Sequence, residues 1–329
     1  MAELRRKARE RWLHTLLGAD VIVASLAGDA SFRCYYRVTC AGCDYVLMDA
    51  PPPHEDVSPF MAVRAWFDEA GLRVSKLYGA DIEQGFLLLE DFGDLTWAVA
   101  LQKGVDIAPL FTDALRQLHL LQASTPSLEL APFDVERMQC ECALYLDWYL
   151  PRVVSLAPDA MQREQFLAVL ANRLSVIESL PRVAVHLDYH SRNLMLAKGQ
   201  LPLGQIDYQD AVMGPVTYDL ASLLYDCYQD YPEEVRLYWS RRFYESLPKA
   251  IAVAFAHFDD WHYKLRLTAM QRHIKAIGIF ARLAHRDGKQ QFLTEIPLTR
   301  KHLLEELAFL GITATMSPLL FAGPEMGLD

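Results

Sequence analysis

Short runs of alternating apolar and polar residues fill the amino-terminal part of the chain, a pattern typical of β-strands. They follow an amphipathic pattern over residues 3–17 that predicts a helix. The predicted strands are 21–27, 32–40, 44–49, 76–82 and 85–89. A second helix is expected from Ser58-Pro59 to Gly71, because proline is favoured in the first turn of a helix. The pattern therefore predicts a small β-rich lobe.

The pattern changes after Glu90-Asp91-Phe92-Gly93, where the apolar run Phe86-Leu87-Leu88-Leu89 ends. Beyond this point apolar residues recur at the three- and four-residue spacing of amphipathic helices. The predicted helices are 107–123, 134–150, 159–180, 217–231, 233–247 and 259–286. Short apolar runs between the third and fourth of them predict a strand-rich insert. We therefore predict an α+β fold with a β-rich N-lobe over residues 1–92, a mainly helical C-lobe over residues 93–329, and a hinge at their junction.

The insert contains the sequence His186-Leu187-Asp188-Tyr189-His190-Ser191-Arg192-Asn193, and Asp207 follows Asn193 by fourteen residues. Phosphoryl transfer needs one carboxylate to orient and deprotonate the acceptor hydroxyl, and oxygen ligands to hold Mg²⁺ against the phosphates. An Asp followed five residues later by an Asn is the arrangement of a kinase catalytic loop. Each short motif occurs by chance in ordinary loops. Their order, spacing and strand-turn-strand context together indicate a phosphoryl-transfer centre.

Composition excludes several other classes of protein. The chain has 329 residues, of which 52% are hydrophobic and 22% charged, and its net charge of -10 argues against a nucleic-acid partner. The amino terminus is basic but has no apolar run that resembles a signal peptide or a membrane span, so we expect a cytoplasmic protein without a membrane partner. Cys40-Ala41-Gly42-Cys43 has the spacing of zinc ligands, but no second pair follows. We interpret it as a hairpin turn whose thiols stay reduced.

The catalytic motif, with Ile206-Asp207-Tyr208-Gln209-Asp210 and the segment 214–221, resembles the aminoglycoside phosphotransferase and choline kinase family. The resemblance implies a protein-kinase-like bilobal fold. More narrowly, the chain is similar, from about Leu26 to Lys289, to the family of anomeric N-acetylmuramate/N-acetylglucosamine kinases of bacterial cell-wall recycling. The segments that carry this similarity are 29–33, 46–53, 85–89, 209–212 and 271–282. By implication the chain would use ATP and Mg²⁺ to phosphorylate the anomeric hydroxyl of the amino sugar, giving an α-1-phosphate.

The resemblance also implies roles for individual residues. Asp188 would orient and deprotonate the acceptor hydroxyl, and Asn193 with Asp207 would hold Mg²⁺. Arg192 is the candidate cation for the transferring phosphoryl group, because a guanidinium is always charged and can bind two phosphate oxygens at once; alternatively it pairs with a neighbouring carboxylate. Asp219 is expected to cap the following helix and to brace the catalytic loop.

Two departures from the wider family concern the nucleotide. The loop Gly28–Arg33 has one glycine in place of a glycine-rich motif, although backbone amides near Ser31 and Phe32 could still meet phosphate. The third strand reads Val46-Leu47-Met48-Asp49, without the phosphate-binding Lys. We predict that Arg33 or Arg37 supplies the missing charge, or that Mg²⁺ suffices. At the hinge, Glu90 and Phe92 are further candidates for nucleotide binding.

Candidates for the acceptor site are Gln209 and Asp210, which follow the metal-ligand Asp, and Gln271 and Lys275 on the long helix. The last two are four residues apart and so share one helix face. Hydrogen-bonding groups and a cation suit a sugar with a carboxylate. The alternative is that this face is simply solvated.

Two other functions remain open at the level of sequence. A kinase for a cationic acceptor, such as an aminoglycoside or choline, would show clustered carboxylates in the C-lobe, for which Asp226, Asp230, Glu233 and Glu234 are candidates. A nucleotide-binding pseudokinase scaffold is suggested by the missing Lys, but the retention of Asp188, Asn193 and Asp207 argues against it. The sequence does not distinguish N-acetylmuramate from N-acetylglucosamine, or ATP from GTP, and it does not indicate an oligomeric state.

Overall fold

A computed structural model describes residues 2–26, 32–52 and 54–324 of the chain. Its amino-terminal part is a five-stranded antiparallel sheet with the strand order β1-β2-β3-β5-β4. The strands are β1 Val21–Ser25, β2 Cys34–Cys40, β3 Cys43–Asp49, β4 Leu77–Asp81 and β5 Phe86–Glu90. The turn at Ala41 and Gly42 joins β2 to β3, and both residues have positive φ, as a two-residue hairpin requires. The prediction of a hairpin at this CxxC is confirmed.

A helix covers each face of the sheet. On one face, α1 Ala2–Leu17 packs through Leu13 against Leu47 and Phe86. On the other, α2 Ser58–Glu69 packs through Phe60 against residues that include Met48. Because side chains alternate across a strand, Leu47 and Met48 of β3 face opposite helices. The second face is the one that looks towards the rest of the molecule.

The carboxy-terminal part is mainly helical. Its helices are α3 Trp97–Gln102, α4 Ile107–Ala123, α5 Val135–Leu144, α6 Leu150–Arg152, α7 Ala160–Glu178, α8 Tyr218–Leu224, α9 Glu233–Glu245, α10 Lys249–Ala252, α11 Phe258–Arg286, α12 Ile296–Phe309 and α13 Pro318–Phe321. Two small antiparallel ribbons lie between α7 and α8. They pair β6 Arg182–Val185 with β9 Val212–Pro215, and β7 Leu194–Met195 with β8 Gly204–Gln205. The α+β organisation predicted from the sequence, including the strand-rich insert, is confirmed, whereas the boundary at residue 92 stays a prediction.

Several predicted helices end where the structure requires a different backbone. The predicted helix 134–150 is interrupted by a π-helical turn at Tyr145–Tyr149, which joins α5 to α6. The predicted helix 217–231 ends at Leu224, because Tyr225 leaves the helical region with φ -113 and ψ 51. Helix α12 was not predicted at all. In the described ranges, no helix combines the length and the apolar character that crossing a bilayer would require.

Candidate active site

The loop that follows β6 is fixed by a buried carboxylate. Asp219, in the first turn of α8, accepts hydrogen bonds from the backbone N–H groups of His186 at 2.7 Å and Leu187 at 3.1 Å. Leu187 has φ 82, a conformation that costs free energy for a residue with a branched side chain and persists only where its surroundings enforce it. Burial raises the pKa of Asp219 to about 7, although the two N–H groups oppose this shift. Asp219 therefore braces the loop as expected, but the residue at the N-cap of α8 is Thr217.

A second buried carboxylate holds the middle of the same loop. Asp226 accepts hydrogen bonds from the backbone N–H groups of Ser191 and Tyr228, both at 2.8 Å. This contact explains why α8 is shorter than the sequence pattern predicts, since the backbone must leave the helix for Asp226 to turn back to the loop. Two side chains from outside the loop thus set its conformation.

Asp188 lies between these two anchored points and is partly exposed. Within the described residues, no side chain forms a hydrogen bond or an ion pair with its carboxylate. Burial would raise the pKa of Asp188, but the positive charges of Lys275, His190 and Arg272 outweigh it and hold that pKa below the ordinary value. Asp188 is therefore ionised near neutral pH and can accept the proton of a hydroxyl group.

Asn193 and Asp207 meet next to Asp188. The side-chain amide of Asn193 donates to the backbone carbonyl of Asp188 at 3.1 Å and to a carboxylate oxygen of Asp207 at 3.5 Å. Gln209 donates to the other oxygen of Asp207 at 2.7 Å, and Asp207 itself has φ 62. An amide oxygen and a carboxylate are the hard donors that Mg²⁺ prefers. No group of three or more His, Cys, Asp or Glu suited to a metal occurs among the described residues, so a cation at this pair would take its other ligands from phosphate and water.

A cavity of about 550 Å³ extends from this pair to the sheet. Its upper wall is formed by Val46 and Met48 of β3 together with Leu89, and its floor by Met195 and Ile206. The complete lining also includes Leu26, Tyr35, Arg37, Phe60, Ser75, Glu90, Asp91, Phe92, Gly93, Asp94, Arg192, Asn193, Asp207 and Tyr208. An apolar slot with a few polar groups at one end has the size and character of a site for a small molecule with a flat ring.

The third strand places no cation in this cavity. Met48 faces the cavity, whereas Asp49 points to the opposite face of the sheet and is buried there. It forms ion pairs with two residues of α1, Arg5 at 2.6 Å and Arg9 at 3.4 Å. The place where the wider family has a Lys is therefore apolar on the side of the cavity.

Both arginines predicted to supply the missing charge are already paired. Arg37 lines the cavity and binds Asp91 at 2.5 Å and Asp94 at 2.9 Å. Arg33 binds Glu55 at 3.0 Å and is not among the cavity residues. Which group meets the phosphates stays a prediction.

The remaining nucleotide candidates lie in different surroundings. Phe32 is 64% exposed, stacks on His54 and donates its backbone N–H to Glu55, so it lies outside the cavity. Ser31 lies outside the described residues. Glu90 and Phe92 do line the cavity; the Glu90 carboxylate is paired with Arg73 at 2.6 Å, and its backbone N–H donates to the carbonyl of Lys76 at 2.8 Å.

The sequence left two roles open for Arg192, a cation for the phosphoryl group or a partner of a carboxylate, and its position is compatible with both. It lines the cavity, its guanidinium lies 3.7 Å from the centre of the Tyr228 ring, and it binds Glu295 at 2.5 Å. Its side chain is 44% exposed, so the ion pair with Glu295 is an exposed one of modest strength. The guanidinium is thus oriented at the mouth of the cavity by a contact that a phosphate could replace.

Helix α11 contributes a buried polar cluster on the other side of Asp188. Gln271 is 1% exposed and donates to Glu141 of α5 at 3.0 Å. Lys275 lies 3.4 Å from another oxygen of Glu141 and 3.4 Å from the hydroxyl of Tyr218. This helix face is therefore packed against the C-lobe and is not the solvated face that the sequence left open.

Sequence reasoning missed two members of this cluster, Glu141 and Arg272. Glu141 lies on a different helix, and no spacing in the sequence connects it with Gln271 and Lys275. Arg272 could have been found, because it is three residues before Lys275 and therefore on nearly the same helix face. Asp210, in contrast, is exposed and stands apart from this cluster.

Comparison with known proteins gives these residues a context. Residues 22–252 match a family model described as the phosphotransferase enzyme family. The N-acetylmuramate/N-acetylglucosamine kinase of Pseudomonas aeruginosa is 37% identical over 314 residues, which cover 93% of this chain and 89% of that protein. The kinase of the same name from Neisseria meningitidis is 35% identical over 293 residues, which cover 88% of this chain and 86% of that protein.

Solved structures share the fold at much lower sequence identity. A choline/ethanolamine kinase family protein from Mesorhizobium loti superposes with a TM-score of 0.64 at 14% identity, over 98% of this chain and 99% of that one. The choline kinase LicA from Streptococcus pneumoniae gives a TM-score of 0.64 at 15% identity, over 91% and 99%. An aminoglycoside phosphotransferase in ternary complex with AMP-PNP and hygromycin B gives 0.58 at 15%, over 91% and 97%. The predicted protein-kinase-like fold is confirmed.

Proposed function

The chain belongs to the phosphotransferase enzyme family, and from this premise we propose that it transfers the γ-phosphoryl group of ATP to the anomeric hydroxyl of an amino sugar, N-acetylmuramate or N-acetylglucosamine. The product would be the sugar α-1-phosphate, formed in the cytoplasm. The amino sugar follows from the relatives that share more than a third of their residues with this chain over most of its length and carry those substrates in their names.

The observation that carries the reaction is the meeting of Asp188 with Asn193 and Asp207, the last two of which line one end of the cavity. In the proposed mechanism, the ionised carboxylate of Asp188 accepts a hydrogen bond from the acceptor hydroxyl and orients its oxygen towards the γ-phosphorus. It takes the proton as the new P–O bond forms and the bond from the γ-phosphorus to the bridging oxygen of ATP breaks, which releases ADP. Asn193 and Asp207 would hold Mg²⁺, which neutralises phosphate charge when bound.

The binding of ATP is supported by the apolar walls of the cavity. Val46, Met48 and Leu89 above and Ile206 below leave a slot that suits an adenine ring. Arg192 at the mouth would bind the transferring phosphoryl group after giving up its exposed contact with Glu295. In this proposal the positive charge comes from the catalytic loop and the metal, because the third strand offers no cation and Arg37 is already paired with Asp91 and Asp94.

A cationic acceptor is disfavoured by the state of the C-lobe carboxylates. Asp226 is buried and occupied by two backbone N–H groups. Asp230 and Glu233 are paired with Lys301 at 2.5 Å and Arg266 at 3.0 Å, respectively. The charged groups closest to Asp188 on α11 are instead the cations Arg272 and Lys275.

The test is ³¹P NMR of the purified protein with MgATP and each amino sugar. A sugar 1-phosphate resonance is expected with the free sugar and not with its 1-O-methyl glycoside, in which the anomeric oxygen is blocked. Phosphorylation of the methyl glycoside would place the transfer at another hydroxyl. No transfer to either sugar, together with turnover of kanamycin or choline, would overturn the proposed acceptor.

A further inference from the structure

Two cations of α11 face the catalytic loop, and they differ in how they are paired. Lys275 lies 3.4 Å from Glu141, so its charge is compensated by a carboxylate. Arg272 is only 7% exposed, yet no carboxylate lies within ion-pair distance of it in the described part of the chain. Its Nε and Nη1 are buried and have no hydrogen-bond acceptor. A guanidinium buried in this way is destabilising unless an acceptor reaches it.

Arg272 lies close to Tyr218 and Asp188. Its guanidinium carbon lies 5.4 Å from the centre of the Tyr218 ring, whose hydroxyl contacts Lys275. Burial opposes the charged form of Arg272, but Tyr218, Asp188 and Asp226 are close enough to favour it and raise its pKa. Arg272 is therefore charged and within electrostatic reach of the group that holds the acceptor hydroxyl.

Arg272, like Asp188, is not among the residues that line the 550 Å³ cavity, whereas Arg192 is. The transferring phosphate thus has a cation of its own at the mouth of that cavity. Under the proposed function, an anion that meets Arg272 beside Asp188 would therefore belong to the acceptor.

The two proposed acceptors differ in one anionic group. N-acetylmuramate is N-acetylglucosamine with a lactyl ether, and this ether carries a carboxylate. A planar guanidinium matches a carboxylate through two parallel hydrogen bonds, which in Arg272 would come from Nη2 together with Nε or Nη1. We propose that Arg272 binds the carboxylate of the acceptor and makes the enzyme prefer N-acetylmuramate to N-acetylglucosamine. This inference rests on the proposed function.

The test compares both sugars in Arg272→Gln and Arg272→Lys. For Arg272→Gln, we expect kcat/KM for N-acetylmuramate to fall on the order of 10²-fold, mainly through KM, because one partner of a buried charge pair is lost. Loss of the Arg272 charge also acts on Asp188 and changes turnover of both sugars alike, so the readout is the ratio of the two kcat/KM values, which should shift against N-acetylmuramate on the order of 10²-fold. Arg272→Lys keeps the charge but not the fork, so it should retain part of the preference.

A control and a modified substrate separate this role from a structural one. Arg242→Gln removes the same type of side chain from an exposed position on α9 and should change neither value. N-acetylmuramate carboxamide removes the anion without any mutation. For wild type, kcat/KM should fall about as much when the carboxamide replaces the acid as kcat/KM for the acid falls in Arg272→Gln. The variant acting on the carboxamide should lose no more than either change causes alone.

The outcomes distinguish the inference from the proposed function. If wild type phosphorylates both sugars but Arg272→Gln slows them equally, Arg272 acts on the loop or the phosphoryl group and only the inference fails. The inference also fails if wild type treats the acid and the carboxamide alike. If wild type phosphorylates neither sugar, the proposed function fails and takes the inference with it.

Discussion

The electrostatic surroundings of Asp188 define what it can do. Its pKa is held below the ordinary value because nearby cations outweigh its burial, so it is a weak base for a free hydroxyl. Such a carboxylate contributes mainly by orienting the hydroxyl and by accepting its proton late, when bond formation with phosphorus has made that proton acidic. We therefore expect turnover to depend on the negative charge of Asp188 as well as on the shape of its side chain.

The first prediction concerns Asp188→Asn, which removes the charge and keeps the shape of the side chain. Asp188→Asn should lower kcat by roughly 10² to 10⁴, the range for loss of a general base, while KM for ATP stays close to wild type. Steady-state kinetics with either sugar measures this, and the thermal unfolding midpoint checks that the fold is intact. Turnover near that of wild type would remove Asp188 from the reaction.

His186 permits a prediction about pH. Its ring is fully buried, and this burial lowers its pKa from 6.5 to about 4 although the Asp188 charge opposes the shift. Between these values the unfolded chain binds a proton that the folded protein does not. The free energy of unfolding should therefore fall as the pH drops from 6.5 towards 4, by up to about 1.4 kcal/mol per pH unit from this residue.

The variant His186→Phe isolates this contribution. The ring keeps its place near Phe67 and Tyr189 and has no proton to gain. Urea denaturation at several pH values should show a shallower loss of stability for the variant than for wild type between pH 6.5 and 4. Parallel curves for the two proteins would mean that His186 is already protonated in the fold.

At the scale of elements, the approach of α11 to the end of α5 assembles the polar cluster of Glu141, Gln271 and Lys275, which we propose faces the acceptor. Gly278 allows the two backbones to touch, since a Cβ there would lie 2.5 Å from the carbonyl carbon of Leu144 and 2.5 Å from the nitrogen of Tyr145. The π-helical turn begins at that point. The contact sets where Glu141 of α5 meets Gln271 and Lys275 of α11.

Gly278→Ala tests this contact. Helix propensity alone would stabilise α11 by up to about 1 kcal/mol, whereas overpacking against backbone should cost about 1 to 3 kcal/mol. We expect a net loss of stability in urea denaturation and a higher KM for the sugar, with KM for ATP unchanged. A variant more stable than wild type would show that the helices can separate at no cost.

At the scale of the whole molecule, the nucleotide cavity joins the sheet to the helical part. Its lining runs from β2, β3 and β5 through the hinge residues to Asn193 and Asp207 below. A ligand there contacts both parts of the chain and should stabilise them together. The amount depends on ligand concentration, about 2.7 kcal/mol at one hundred times the dissociation constant.

Thermal unfolding with and without Mg²⁺ tests whether Asn193 and Asp207 bind the metal. ATP with Mg²⁺ is expected to raise the midpoint of wild type more than ATP with EDTA, because the cation links Asn193 and Asp207 to the phosphates. In Asp207→Asn, the difference between the two conditions should disappear while ATP itself still stabilises. A Mg²⁺ effect of equal size in both proteins would place the cation elsewhere.

The sequence by itself determined the parts of this protein that are local in the chain. Alternation and helical spacing identified the strands and most of the helices, because side-chain direction follows directly from backbone geometry. The order of Asp188, Asn193 and Asp207 predicted that these three residues meet, since turns between short strands bring them together within about twenty positions of the chain. The hairpin at Cys40 and Cys43 was recognised for the same reason.

The tertiary structure decided the contacts between distant segments. Gln271 and Glu141 are 130 positions apart, and Arg5 reaches Asp49 across 44, so only packing brings each pair together. The early end of α8 likewise depends on a contact of Asp226 with Ser191, 35 positions away, which overrides helical periodicity. The residues of the loop were therefore predictable from neighbouring positions, whereas the pairing of charged side chains between α5 and α11 depends on how the helices pack.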